Sequence, residues 1–213
     1  MRVGGPTFKD GPSTPEGVFD WVNLPQGANL VSLWACLHDA QIVSIRSNLL
    51  DRTAVLRCEI EHLRSFHHLA DGSAFIVSLH GVQSARVLRY AIWPGEFKIP
   101  DGLSREQEST LVEDYQSKWR EESLSWSDFE GSVKRENEQV FDLSDATLAV
   151  SPDAGVALQL CGHLNYATYH EVYLRAAQLE VSDSDGKRFD LEDFQKMGEL
   201  YWEEFSRRSQ RKR

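Results

Sequence analysis

Residues 41–60, QIVSIRSNLLDRTAVLRCEI, decide the fold class because they predict two strands joined by a tight turn. In the second half of this stretch, apolar residues alternate with polar ones at Ala54, Leu56, Cys58 and Ile60. A period of two is typical of a strand that buries one face. We interpret the intervening LLDR as the turn of a β-hairpin, which predicts an antiparallel sheet.

Further strand patterns lie on both sides of a central polar region. Residues 74–82 and 84–93 predict a second strand pair that turns near Gln83. Residues 146–150, 155–164 and 170–181 predict a three-stranded meander, with the SPDAG segment as its first turn. These segments bring the predicted sheet to about seven strands.

Two amphipathic helices are predicted outside the sheet. Ser104 and Gln107 have the spacing of a capping box, which favours a helix over 105–122. Asp190 is positioned to cap a second helix, whose apolar residues recur at steps of three and four: Leu191, Phe194, Met197, Tyr201 and Phe205. Strands and helices that are segregated along the chain indicate an α+β fold, an antiparallel meander sheet with both helices packed on it.

The chain divides into three regions by composition. Residues 1–28 contain four of the seven prolines and five of the fourteen glycines, which predicts an extended N-terminal arm. Residues 29–206 predict a single α+β domain. Residues 207–213, RRSQRKR, predict a basic flexible tail.

The charge distribution limits the classes of partner that the protein is expected to bind. The formal net charge is −10, and all five charged residues of the tail are bases, so the rest of the chain is more acidic still. An acidic body repels nucleic acid and anionic membranes, because binding them requires clustered cations. We therefore predict a basic protein partner, no membrane partner, and nucleic-acid contact only through the tail.

The cysteines and the N-terminus indicate the compartment. Cys36, Cys58 and Cys161 are odd in number, far apart and without a CxxC pair. Buried free thiols in a reducing environment are the expected state. The first fifteen residues lack the apolar core of a secretory signal, which favours a cytoplasmic protein.

The stretch CEIEHLRSFHH at 58–68 contains candidate metal ligands. A metal site formed by His62, His67, His68 and His80 with a carboxylate is one hypothesis, and it makes the protein a metal-assisted enzyme. The motif lacks HExxH spacing, and a polar loop with surface histidines explains it without a metal. The prediction we favour has no metal and no cofactor.

His38 and Asp39 are adjacent immediately before the first hairpin strand. They form either a catalytic base with its orienting acid or a structural corner. Neighbouring residues on a strand point to opposite faces, which favours the corner. Asp39 would then cap backbone amides, and His38 would bond a carbonyl across the sheet. Because the chain also has no G-x-S-x-G elbow and no phosphate-binding glycine loop, we predict no catalytic residues.

Residues 37–60, LHDAQIVSIRSNLLDRTAVLRCEI, resemble the opening hairpin of a loose group of bacterial domains. In that group an L-H-D-A corner precedes an I-x-S-I strand, a turn and an alternating strand. Many of these domains are uncharacterised, and some resemble immunity proteins of bacterial toxin systems. The resemblance implies a bacterial protein with an immunity-like role and transfers no catalytic residue.

Two functional hypotheses follow. The first is a non-enzymatic protein-binding module, with the immunity-like role that the resemblance implies, which steers a basic partner by its acidic surface. Its candidate faces are the helix at 105–122 and the acidic segment at 124–145. The alternative is the metal-assisted enzyme that uses the histidine cluster.

Overall fold

The computed structural model describes residues 29–48, 50–70, 73–91, 100, 102–116, 120–134, 139–151, 155–165 and 168–210. The extended arm predicted for residues 1–28 lies outside the described residues, as do residues 211–213 at the end of the predicted tail.

Within these ranges the chain forms eleven strands and five helices. The strands are β1 (Asn29–Ser32), β2 (Gln41–Asn48), β3 (Thr53–Glu59), β4 (Phe75–His80), β5 (Ser84–Ala91), β6 (Arg120–Leu124), β7 (Phe141–Ser151), β8 (Gly155–Asn165), β9 (Thr168–Ala176), β10 (Gln178–Asp183) and β11 (Arg188–Phe189). The helices are α1 (Trp34–Leu37), α2 (Glu61–Phe66), α3 (Arg105–Gln116), α4 (Trp126–Ser132) and α5 (Leu191–Gln210).

The α+β class and the antiparallel sheet are confirmed, but the strand and helix counts are not. Ten strands follow one another in the order β11-β10-β4-β3-β2-β7-β8-β9-β5-β6, and β1 pairs with β7 beside this path. The predicted number was about seven strands and two helices. The short strands β1, β6 and β11 lack enough alternating residues to be recognised, and the segment 170–181 is divided into β9 and β10.

The predicted β2–β3 hairpin is present, whereas the predicted pairing of 74–82 with 84–93 is wrong. β4 pairs with β3 and β10, and β5 pairs with β9 and β6. β4 and β5 therefore run on as one bent strand beside β9 and β10, which are separated only by Ala177. β4 pairs with β10 and β5 pairs with β9, so these two bent strands lie beside each other along their length. Because β4 also pairs with β3, and β9 with β8, the sheet closes into a barrel-like ring.

Two glycines allow the bend at Ala177. Gly81 has φ 64°, and a Cβ at this position would lie 2.9 Å from the Cβ of Ala177. Gly155 has φ 80°, and a Cβ there would lie 2.3 Å from the carbonyl oxygen of Ala176. Both positions combine a left-handed backbone with a close approach, so a side chain would push the neighbouring strand away.

The interior of the ring is the hydrophobic core. Inward-facing side chains from most strands are buried there, among them Ile42, Leu56, Val77, Leu148, Leu158 and Leu174. Phe194 of α5 joins this cluster and is fully buried, with its ring centroid 5.4 Å from that of Phe75. The core thus includes residues of four helices, α1, α2, α4 and α5, as well as the strands.

Helix α5 begins after Asp190, as predicted. The Oδ1 of Asp190 accepts a hydrogen bond of 2.7 Å from the backbone N–H of Asp193, which is the expected cap. Phe194 is buried as predicted, but Met197 and Tyr201 are only half-buried. The helix continues to Gln210, so residues 207–210 are helical instead of belonging to a flexible tail.

Helix α5 packs closely on α1 at Gly198. A Cβ at this position would lie 2.4 Å from the carbonyl oxygen of Ala35, so only glycine allows the two helices to approach this far. The thiol of Cys36 donates to the carbonyl oxygen of Phe194 at 2.8 Å across the same contact. These contacts hold α5 against the corner that precedes β2.

The other helix predictions need correction. The Ser104–Gln107 capping box is confirmed, with hydrogen bonds of 3.3 Å and 2.9 Å. The helix that it starts ends at Gln116, and part of the predicted 105–122 range becomes β6. Residues 61–66 leave the strand pattern at Glu61 and form α2, because the apolar alternation ends at Ile60.

Asp39 has φ 61°, a left-handed conformation that costs about 1 kcal/mol or more for most non-glycine residues. Its carboxylate has no described hydrogen bond to a backbone amide, so the predicted cap is not what the geometry offers. We expect Asp39→Ala to lower the free energy of unfolding by about 1 kcal/mol, and Asp39→Gly to be as stable as the wild type. Urea denaturation of both variants measures this. Equal losses in the two variants would contradict the backbone explanation and favour a side-chain cap.

Candidate functional site

The corner at His38 and Asp39 joins α1 to β2. The backbone N–H of Asp39 donates to the carbonyl oxygen of Leu143 in β7 at 3.0 Å. The Nδ1 of His38 lies 3.0 Å from the carbonyl oxygen of Ser144, also in β7. A carbonyl can only accept, so Nδ1 carries a proton in this contact. The Nε2 of His38 lies 3.5 Å from the Oδ1 of Asp39.

A cluster of aromatic rings surrounds this corner. His38 stacks on Trp34 with ring centroids 4.6 Å apart, and Trp202 of α5 lies 5.0 Å from Trp34. The indole N–H of Trp202 donates to the carbonyl oxygen of Ala35 at 2.9 Å, which fixes the orientation of the ring. Tyr201 is next to Trp202, with centroids 5.0 Å apart and planes 79° apart. The ring positions are therefore set by α1 and α5 together.

An open groove of about 600 Å³ runs between α2, α5 and the corner. Its lining combines aromatic rings with a few charged and polar groups: Asp39, Glu61, His62, Ser65, Phe66, His68, Tyr201, Trp202 and Arg208. The volume is in the range of ligand-binding clefts. A second void, of about 10 Å³, is enclosed by apolar core side chains and is no larger than a single water molecule needs.

The half-buried ring of His62 contributes a buried polar atom beside the groove. Its ring lies 4.7 Å from that of Tyr201, and its Nε2 is buried without a hydrogen bond. Burial lowers the pKa of His62, while the carbonyl of Ala35 and the carboxylate of Asp39 oppose this shift without cancelling it. The ring is therefore neutral at pH 7.

The charged residues around the groove are mostly paired with one another. Glu61 forms an ion pair with Arg64 and accepts from the hydroxyl of Ser65 at 2.9 Å. The Nε of Arg208 donates to Glu204 at 3.0 Å. Asp39 differs from both, because among the described residues it has no lysine or arginine partner: its carboxylate lies 3.5 Å from the Nε2 of His38, and its side chain is 72% exposed.

The four histidines proposed as metal ligands are distributed over different environments. His62 and His68 line the groove. The ring of His67 lies 3.2 Å from the carbonyl oxygen of Met197, and His80 lies near Glu180 on the β4–β10 pair. In the described part of the chain, no three histidine, cysteine, aspartate or glutamate side chains converge as a metal site would require.

The three cysteines are buried and free of disulfides. Burial raises the pKa of the Cys36 and Cys58 thiols to about 12, and it also raises the pKa of Cys161. These thiols are protonated at neutral pH, so they lack the thiolate character that nucleophilic cysteines have.

A second polar cluster lies on the outward face of β8 and β9. The hydroxyl of Tyr173 donates to Glu171 at 2.8 Å and accepts from the side-chain amide of Gln159 at 3.2 Å. Glu171 is only 1% exposed. Burial raises the pKa of Tyr173, and the charge of Glu171 adds to this shift. The cluster links β8 and β9, and the Oε1 of Gln159 is buried in it without a hydrogen-bond partner among the described residues.

The sequence identified part of the groove and missed the rest. His38, Asp39, His62 and His68 were singled out, but the rings opposite them come from α5, more than 130 residues later in the chain. Tyr201 was assigned to the apolar face of this helix. Trp202 follows Tyr201 directly in the sequence, and this position was the available signal for a second ring beside that face.

Comparison with protein-family models, with curated proteins and with solved structures finds no match to this chain. None of the helices described is both long enough and apolar enough to cross a membrane.

Proposed function

We propose that this protein is a protein-binding module and that the groove between α2 and α5 receives a segment of a basic partner protein. The observation that carries the proposal is an open groove of about 600 Å³ lined by the rings of Phe66, Tyr201 and Trp202. Tryptophan and tyrosine in a concave site are the residues most often found to dominate binding energy at protein interfaces.

The groove is a preorganised surface. The indole of Trp202 is held by its hydrogen bond to Ala35, and Gly198 lets α5 lie close to α1 beneath it. A partner that docks on fixed rings loses less conformational entropy than one that must order them. The exposed apolar surface continues along α5, where Leu200 is 42% and Phe205 50% exposed.

The choice of a basic partner follows from charge. The chain carries 33 acidic and 23 basic residues, so its long-range field attracts a cationic protein and accelerates encounter. The resemblance of residues 37–60 to immunity-like domains belongs to the same proposal, because such a protein acts by binding its toxin.

Filling the groove is expected to abolish partner binding. Ser65 is exposed and lines the groove, so Ser65→Trp places a large ring in it without removing a buried contact. Ser127→Trp, on the exposed side of α4, is the matched control. A random-peptide phage library is selected on the wild-type protein, and the enriched peptides are assayed on both variants.

We expect the peptides to bind the wild type and Ser127→Trp and to lose at least about tenfold in affinity on Ser65→Trp, the size of effect typical of a blocked central contact. A selection whose peptides bind Ser65→Trp as well as they bind the wild type would contradict the proposal.

A further inference from the structure

We infer that the groove selects an arginine side chain of the partner, with its guanidinium hydrogen-bonded to Asp39 and packed against the rings of Tyr201 and Trp202. The inference rests on the proposed function, because it names the chemical group that the docking segment places in the groove. It makes a separate claim, since a groove that binds peptides has no need to prefer a cation.

Asp39 has a carboxylate that is available to a ligand. Among the described residues its side chain contacts only His38, at 3.5 Å. That separation exceeds the roughly 2.7–3.2 Å of an N–H···O hydrogen bond, so His38 leaves the oxygens of this carboxylate without a hydrogen bond. The left-handed backbone at φ 61° holds the carboxylate outward, where it is 72% exposed. A donor supplied by a partner would complete its hydrogen bonding.

The other charges at the groove do not oppose a cation. Arg208 is paired with Glu204 at 3.0 Å, and Arg64 is paired with Glu61. Burial keeps the pKa of His62 below its ordinary value, so this ring does not add positive charge at neutral pH. Among the described charged groups that line the groove, Asp39 is therefore the one without a lysine or arginine partner.

The aromatic rings supply the second half of the recognition. Cations are attracted to the electron-rich faces of indole and phenol rings, and arginine is the cation found most often in such contacts. A guanidinium is planar and offers two parallel N–H donors to a carboxylate while it packs on a ring. The ammonium group of lysine is not planar and does not offer two parallel N–H donors, so we expect arginine to be preferred over lysine.

Three synthetic peptides test this inference on the full chain. They are acetyl-Gly-Gly-Xaa-Gly-Gly-amide with arginine, citrulline or lysine at the central position. Citrulline has nearly the shape of arginine and no charge. Binding is followed by NMR through the indole N–H resonance of Trp202, which lies at the groove. The proteins compared are the wild type, Asp39→Asn, which tolerates the left-handed backbone, and Asp185→Asn, which removes an exposed acid in the turn after β10.

We expect the arginine peptide to bind the wild type and Asp185→Asn alike, and to bind at least about tenfold more tightly than the citrulline peptide. On Asp39→Asn the arginine peptide should fall to the affinity of the citrulline peptide. Citrulline equal to arginine, or no perturbation of Trp202 by the arginine peptide, would overturn the inference. Lysine equal to arginine would overturn the guanidinium preference.

The phage selection separates this inference from the proposed function. Enriched peptides that lose binding on Ser65→Trp but contain no arginine would overturn the inference and leave the proposed function intact. Enriched peptides that bind Ser65→Trp as tightly as the wild type would contradict both the inference and the proposed function.

Discussion

Replacing Phe194 by alanine is expected to lower the free energy of unfolding by about 4 kcal/mol, the cost typical of removing a buried phenylalanine ring from a well-packed core. Phe194 is fully buried and lies against Phe75 inside the ring of strands. The neighbouring core void is only about 10 Å³, so the side chains around Phe194 are closely packed. Removing the ring therefore leaves a cavity. Urea denaturation followed by tryptophan fluorescence measures the change.

Phe205→Ala is the matched control because it removes the same ring from the same helix at a position that is 50% exposed. We expect this variant to lose less than about 1 kcal/mol. Equal losses at the two positions would mean that α5 is not anchored through Phe194. The groove would then lose the support of one of its walls, since Tyr201 and Trp202 are carried by the same helix.

The anchoring of α5 has a consequence for binding. A Phe194→Ala protein that still folds should bind the arginine peptide more weakly, although Phe194 does not line the groove. The affinity would fall because α5, which carries Tyr201 and Trp202, is displaced. The peptide affinity of Phe205→Ala is the control for a change on the exposed side of the helix.

The local elements were the predictable part of the fold. Alternation identified β2 and β3, and the Asp190 cap and the apolar steps of three and four identified α5. These patterns involve residues that are close in sequence, so one amino-acid sequence is enough to identify them. The pairing of strands is different, because β4 and β5 look like a hairpin locally. The left-handed Gly81 and the packing on Ala177 make them continuous instead.

The site was predictable only on one side. His38 and Asp39 stood out as an acid and a histidine before a strand, and His62 and His68 as part of a histidine-rich stretch. Their grouping into a groove depends on how closely α5 approaches α1, which Gly198 permits. Glycine within a helix pattern lowers the expected helix stability without indicating a partner. The aromatic wall of the groove was therefore invisible until the helix was placed.

Acidification is expected to destabilise the protein through His170 well before most carboxylates are protonated. His170 faces the core from β9, is 1% exposed, and packs with ring centroids 5.7 Å from Phe129 and 6.1 Å from Phe141. Its Nδ1 is buried without a hydrogen bond. Burial lowers the pKa of His170 to about 4, and the positive charges of Arg89 and His163 contribute less.

The direction of the effect follows from which state binds the proton. The unfolded chain protonates His170 near pH 6.5, whereas the folded chain resists protonation down to about pH 4. The contribution of neutral His170 to the free energy of unfolding is therefore fully present above pH 6.5 and is lost as the pH falls towards 4. The full difference corresponds to about 3 kcal/mol, of which about 2 kcal/mol is lost between pH 7 and pH 5. The lowered pKa of His62 acts in the same direction.

Removing the titrating ring isolates this contribution. His170→Leu keeps an apolar side chain in the core and should lose about 2 kcal/mol less stability than the wild type between pH 7 and pH 5. His80→Gln is the matched control, because it removes a histidine whose side chain is 46% exposed and lies outside the core. Because His170→Leu changes the packing as well, the wild-type His170 resonance is also followed by NMR. A midpoint near pH 6.5 for that resonance, or the same pH dependence in His170→Leu and the wild type, would mean that water or a partner group reaches the ring and that the core around β9 is not sealed.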